Sequence, residues 1–114
     1  MTESILTGSR VYGPYHNNER DIDIVLKKED ARALRDYLGK KGIEWDFVET
    51  DKLYTGESYY FSLVGVKFNI IEVIDDDDFT RWKSTTEQML SKDIIEDRQE
   101  RIATFRELFG EEET

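Results

Sequence analysis

Two aspartates one residue apart, Asp21 and Asp23 in the stretch "RDIDIVL", are the residues best placed to do chemistry in this chain. They interrupt a hydrophobic run that otherwise reads as a strand, where an acid is disfavoured by propensity and costly if buried. Side chains alternate along a strand, so Ile22 and Ile24 can enter a core while Asp21 and Asp23 project together from the opposite face, their Cα atoms about 6.6 Å apart. Two carboxylates at that spacing repel each other unless a cation intervenes. They can converge on one Mg²⁺ or Mn²⁺ ion, or share a pair of ions roughly 3.5–4 Å apart. Upstream, "LTGSRVYG" places Gly8 and Ser9 at the end of a short strand-like run. A glycine at a strand end lets a phosphate come close to the backbone. A serine there can offer both its N–H and its hydroxyl to an anion, the more so where a helical turn begins. The two features together describe a nucleoside triphosphate bound through a divalent cation.

Each feature also has a plainer reading. Asp-x-Asp can be the solvent face of an edge strand and Gly-Ser a turn; their order and spacing in one chain favour the ligand. His16, the sole histidine, sits in the polar stretch "PYHNNER", where it either meets phosphate, acts as a base or stays an exposed loop residue. Arg10, Arg20, Lys27 and Lys67 can neutralise phosphates or, on a chain this acidic, pair with surface carboxylates. Trp82 and the pair Tyr59-Tyr60 can stack on a base or pack in the core at their helix and strand spacing. The run Asp75 to Asp78 lacks the alternation of a calcium loop and reads as a helix start with Asp78 at the N-cap.

The elements that must position these groups follow from hydrophobic period. Ser4 to Thr7 and Asp21 to Leu26 read as strands. From Glu29 to Lys41, Ala31, Leu34, Tyr37 and Leu38 recur at helical spacing and Gly42 supplies the stop. Residues 43–50, "IEWDFVET", alternate as a half-buried strand. "SYYFSLVGVKFNIIEVI" reads as a hairpin turning at Val64-Gly65. Two helices close the chain, one with a stripe of Phe79, Trp82, Thr86, Met89 and Leu90, the other with Ile95, Ile102, Phe105 and Leu108 before Gly110. The pattern predicts an α/β chain of the α+β type, a small mixed, twisted sheet packed with helices.

Composition bounds what such a chain can do. With 114 residues, 38% of them hydrophobic, it can build one modest core and is too short for two ordinary domains. A formal net charge of −10 argues against a surface that holds nucleic acid by counterion release, so a small molecule or a protein is favoured as partner. No stretch approaches the roughly 18 apolar residues of a membrane span, and the start "MTESILTGSR" has no secretory pattern. Without cysteine there is no disulfide framework, zinc-thiolate site or thiol nucleophile, and a cytoplasmic setting is expected.

At "TGSRVYG" and "RDIDIV" the sequence resembles the DNA polymerase β-like nucleotidyltransferase superfamily, in particular its small single-domain members of bacterial or phage type. That signature is a Gly-Gly or Gly-Ser pair after the first strand, a loop of about ten residues, and Asp-x-Asp or Asp-x-Glu in the next strand. Gly13 matches the family's "GSxxxG" extension, and "FNIIEVIDDDDFTRWKSTTEQM" resembles its third motif strand and following helix. The likeness covers residues 5 to 108, most closely the first 26. It implies the nucleotidyltransferase fold over residues 1–110, with 111–114 a solvated acidic tail. It also implies Mg²⁺-dependent transfer of a nucleoside monophosphate from a triphosphate to a hydroxyl acceptor. By the same resemblance Gly8, Ser9 and Arg10 bind the triphosphate, and Asp21 and Asp23 hold the metal.

The family places a third carboxylate on a neighbouring strand. Here the hydrophobic pattern of "KFNIIEVI" puts Asn69 in that place, while Glu72, three residues on, faces the other way unless a bulge intervenes. Asparagine can offer a neutral carbonyl to Mg²⁺ but can neither take a proton nor neutralise a second ion. The alternative is therefore a catalytically impaired nucleotide-binding or protein-interaction module of the same fold. A narrower alternative keeps catalysis but makes the acceptor a protein, as in small antitoxin nucleotidyltransferases that modify a toxin partner. The family's usual helix ahead of the first strand has no counterpart before Ser4, which leaves the sheet less covered and invites homo-oligomerisation.

Overall fold

Alternating side chains build a sheet with two unlike faces. The computed structural model describes residues 3–14, 21–48 and 56–110. Five strands, β1 (Ser4–Thr7), β2 (Ile22–Lys27), β3 (Trp45–Phe47), β4 (Tyr59–Leu63) and β5 (Val66–Val73), form one sheet in the order β1-β2-β5-β4-β3. The central pair β2 and β5 is parallel and every other pairing is antiparallel. The described helices are α1 (Ser9–Tyr12), α2 (Lys28–Lys40), α3 (Asp76–Ser91) and α4 (Arg98–Phe109). This is the mixed α+β arrangement that the hydrophobic periods predict.

One face carries Leu26, Ile70, Tyr59 and Phe61, buried together with Ala31 and Leu38 of α2. The Tyr59 hydroxyl donates to the Ala31 carbonyl at 2.6 Å, which satisfies a polar atom that burial would otherwise leave stranded. Arg35 of α2 lies over the Trp45 ring at 5.2 Å and ties the short β3 to the same layer. The other face carries Ile5, Val25, Ile71 and Val73, packed against Phe79, Trp82 and Met89 of α3 and Phe105 and Phe109 of α4. Each large apolar side chain buried this way contributes about 1.5–3 kcal/mol. Coverage on this face is partial. Val25 and Ile71 are buried, whereas their neighbours on the same face, Asp23, Asn69 and Lys67, are only half-buried.

Local chemistry sets the boundaries. Gly42, with φ +72°, ends α2: its N–H reaches the Gly39 carbonyl at 3.1 Å and the Ile43 N–H reaches that of Leu38 at 2.9 Å, the bond pattern of a Schellman motif. The β4-β5 turn falls at Val64-Gly65 as expected, with positive φ at both residues (52° and 78°). Several expectations need correction. The expected strand over 43–50 shrinks to Trp45–Phe47, because Ile43 is held in the helix cap; residues 49–50 lie outside the described set. The third helix begins earlier than expected, with Asp75 at its N-cap, so Asp76, Asp77 and Asp78 occupy the first turn where the helix dipole favours acids. Leu90 and Ile102 face solvent rather than the core, at 54% and 42% exposure, and Thr85, Arg101 and Phe109 are the buried members that those stripes lacked.

Candidate functional site

The end of β1 and the start of β2 bring the Gly-Ser pair onto the aspartates. The antiparallel register places Thr7 opposite Asp23, and the chain then turns at Gly8 with φ +84°. A Cβ on Gly8 would overlap the Asp23 carboxylate oxygen Oδ2, so glycine is demanded here both by conformation and by close approach. A helical turn does begin at Ser9: the Gly8 carbonyl accepts from Val11 N–H at 2.9 Å and the Ser9 carbonyl from Gly13 N–H at 2.9 Å. Arg10 lies in this turn, exposed.

Parallel pairing aligns β5 with the aspartates. Asn69 is the register partner of Asp23, and its amide nitrogen Nδ2 donates to Asp23 Oδ1 at 2.8 Å and to Asp21 Oδ2 at 3.3 Å. Asn69 thus bridges both carboxylates with a neutral N–H group. One more step along the same face stands Lys67. Its Nζ is 4.0 Å from Asp21 Oδ2 and 4.5 Å from the centroid of the Tyr60 ring. Tyr60, opposite Asn69 in β4, carries this face on toward β3. Among the described residues, no third carboxylate, histidine or cysteine joins Asp21 and Asp23 in a metal-ligating group.

Glu72 belongs to the opposite face. The β5 register runs unbroken past it, with Leu26 as partner, and its side chain is fully buried on the α2 side. There Oε1 accepts from Arg32 Nε at 3.3 Å and Oε2 from the Glu57 N–H at 3.2 Å. Gly56 sits so tightly on this carboxylate that a Cβ would lie 2.6 Å from Glu72 Cγ. Glu72 therefore anchors the chain entering β4 rather than serving the aspartates.

Of the other residues singled out in the sequence, Trp82 and Tyr59 are buried in the core. Trp82 is in the core layer on the aspartates' side and Tyr59 in the α2 layer, while Tyr60, half-buried opposite Asn69, stands beside the aspartates outside either core. Lys27 pairs with Glu3 and Asp76 at 3.2 and 3.1 Å, and hydrogen bonds to Asp76 and then Glu3 raise its pKa. His16 and Arg20 lie outside the described residues, as does the tail 111–114. Sequence reasoning missed a set of hydroxyls beneath the Gly-Ser turn. Thr7 and Thr86 share a hydrogen bond at 2.8 Å inside the core. Tyr12 adjoins Thr7 and stacks on Phe105 at 5.9 Å; burial above all pushes its phenol up to about 12. The signal for Tyr12 was its place four residues after Gly8, one helical turn on. Lys67 was also legible as a site neighbour, since a residue two before Asn69 shares its face.

No family model matches the chain, and no curated protein matches it. Two carboxylates on one sheet face offer oxygen donors of the kind a hard divalent cation takes, with water completing its shell. Asp21 and Asp23 would hold such an ion, while Asn69 turns its N–H group to both carboxylates.

Proposed function

We propose that this chain binds a nucleoside triphosphate through Mg²⁺ or Mn²⁺ and transfers its nucleoside monophosphate to a hydroxyl acceptor. The observation that carries the reading is the fit of Gly8 against Asp23, which puts the Ser9 turn beside two carboxylates. In this reading the Ser9 hydroxyl, with Gly8 and Arg10, binds and orients the triphosphate. Asp21 and Asp23 hold the cation, which supplies charge neutralisation at the phosphates when bound. The acceptor oxygen bonds to the α-phosphorus as that phosphorus parts from its bridging oxygen; pyrophosphate leaves with the electron pair and the acceptor proton passes to solvent. A net charge of −10 supports a small-molecule or protein acceptor over nucleic acid, and the absence of cysteine from the sequence supports a cytoplasmic setting. Among the described residues, no helix is long and apolar enough to cross a membrane.

A second reading draws on Asn69. An amide that donates to both acids, where a third acid would assist the acceptor, supports a module that binds the nucleotide without turning it over, an antitoxin-like partner protein included. Thermal shift with each triphosphate, with and without Mg²⁺ or Mn²⁺, tests binding: the melting temperature rises only when nucleotide and cation are both present. No cation-dependent shift with any triphosphate would remove both readings. Pyrophosphate release from labelled triphosphate, alone and with host lysate as acceptor source, separates them, since the non-catalytic module binds and releases none.

A further inference from the structure

We infer that Lys67 supplies the second positive charge of this site, so that the chain takes one divalent cation with its triphosphate rather than two. The inference rests on the nucleotide reading above. In the parallel register Ile22 pairs with Phe68 and Asp23 with Asn69, so the residue beside Asp21 on β5 is Lys67, on the same face as Asn69. Its ammonium is 4.0 Å from Asp21 Oδ2 and is held over the Tyr60 ring at 4.5 Å, which fixes the charge at the edge of the acid pair. Two carboxylates and one ammonium leave this face with a single net negative charge. One divalent ion reverses that to a single positive charge, suited to a triphosphate. A second divalent ion would meet an ammonium already beside Asp21, and Asn69, a neutral amide, adds no negative charge to offset that repulsion.

A merely structural lysine would neutralise Asp21 without setting the number of ions bound. The deciding measurement is therefore metal stoichiometry: Mn²⁺ is titrated into the full chain with a non-hydrolysable triphosphate analogue and counted per chain by electron paramagnetic resonance. The wild type binds one ion with the analogue, Lys67→Arg also binds one, and Lys67→Met admits a second, its affinity raised roughly tenfold by loss of the like charge. Lys67 is 43% exposed, so these variants keep the core intact. Two ions in the wild type would overturn the inference and leave nucleotide binding standing. One ion in the wild type and in both variants would equally remove Lys67 from this role. No Mn²⁺-dependent binding of the analogue by the wild type overturns the nucleotide reading, and this inference with it.

Discussion

Asp21 and Asp23 carry charges that repel, partly offset by the Asn69 amide and the Lys67 ammonium. Replacing either aspartate by asparagine removes one charge of the pair and one anionic ligand for a cation. The expected outcome is loss of cation-dependent nucleotide binding with stability changed by no more than about 1 kcal/mol, because the Asp21 side chain is 45% exposed. Chemical denaturation beside the thermal shift assay checks both halves. A loss of several kcal/mol would instead make these residues scaffold acids. Asn69→Asp asks the converse question. A third carboxylate within hydrogen-bond distance of the other two lowers stability by about 1 kcal/mol in chelator and is rescued by Mg²⁺, whose affinity rises. Any transferase activity rises with it. Glu72→Gln changes neither metal nor nucleotide affinity, since its carboxylate faces Arg32 across the sheet. Melting curves with chelator and with Mg²⁺ read the stability terms, and pyrophosphate release reads the activity.

At the scale of elements, the β4-β5 hairpin holds the one residue whose type opposes its conformation among those described. Val64 is β-branched, fully exposed, and sits at φ 52° in the left-handed region. Val64→Asn relieves that conflict without touching a packed atom and should stabilise the fold by about 0.5–1 kcal/mol, read as a higher denaturation midpoint at unchanged slope. The same hairpin shows what was legible in the sequence. Its turn could be placed because two apolar runs met at a glycine, and the end of α2 because Gly42 followed a helical stripe. The face shared by Asp21, Asp23 and Asn69 was readable because a strand's period is two. What escaped depended on tertiary contact. Alternation from Ile43 to Thr50 could not reveal that Ile43 would be taken by the cap of α2. A stripe containing Leu90 and Ile102 could not tell which side of each helix the sheet would leave open. Four consecutive acids gave no sign of which one begins a helix, since any of them suits the dipole.

At the scale of the whole molecule, two tyrosines pin opposite layers to the sheet and should report on both at alkaline pH. Tyr59, on the α2 side, donates its hydroxyl to the Ala31 carbonyl at 2.6 Å. Tyr12, on the other side, packs against Phe105 beside Thr7. Burial raises the pKa of both, that of Tyr12 to about 12 against 10.0 for the free side chain. The folded state therefore keeps its protons where the unfolded state would lose them. Stability is fully present below pH 10, the unfolded value, and drains away as pH climbs through the folded value near 12. Ionisation of the two phenols should accordingly coincide with unfolding rather than precede it. Tyrosinate absorbance would then show a late, cooperative phase matching the loss of circular dichroism. Tyr12→Phe removes one of the two linked ionisations and shifts the alkaline unfolding midpoint upward. Tyr59→Phe removes the other but also leaves the Ala31 carbonyl without its donor, so it loses about 1 kcal/mol at neutral pH while its alkaline transition becomes shallower. If Tyr12 instead titrates reversibly near its ordinary value with the fold intact, the packing of α1 against α4 is looser than the ring contact with Phe105 describes. The Gly8-Ser9 turn would then lack the rigid support on which its fit against Asp23 depends.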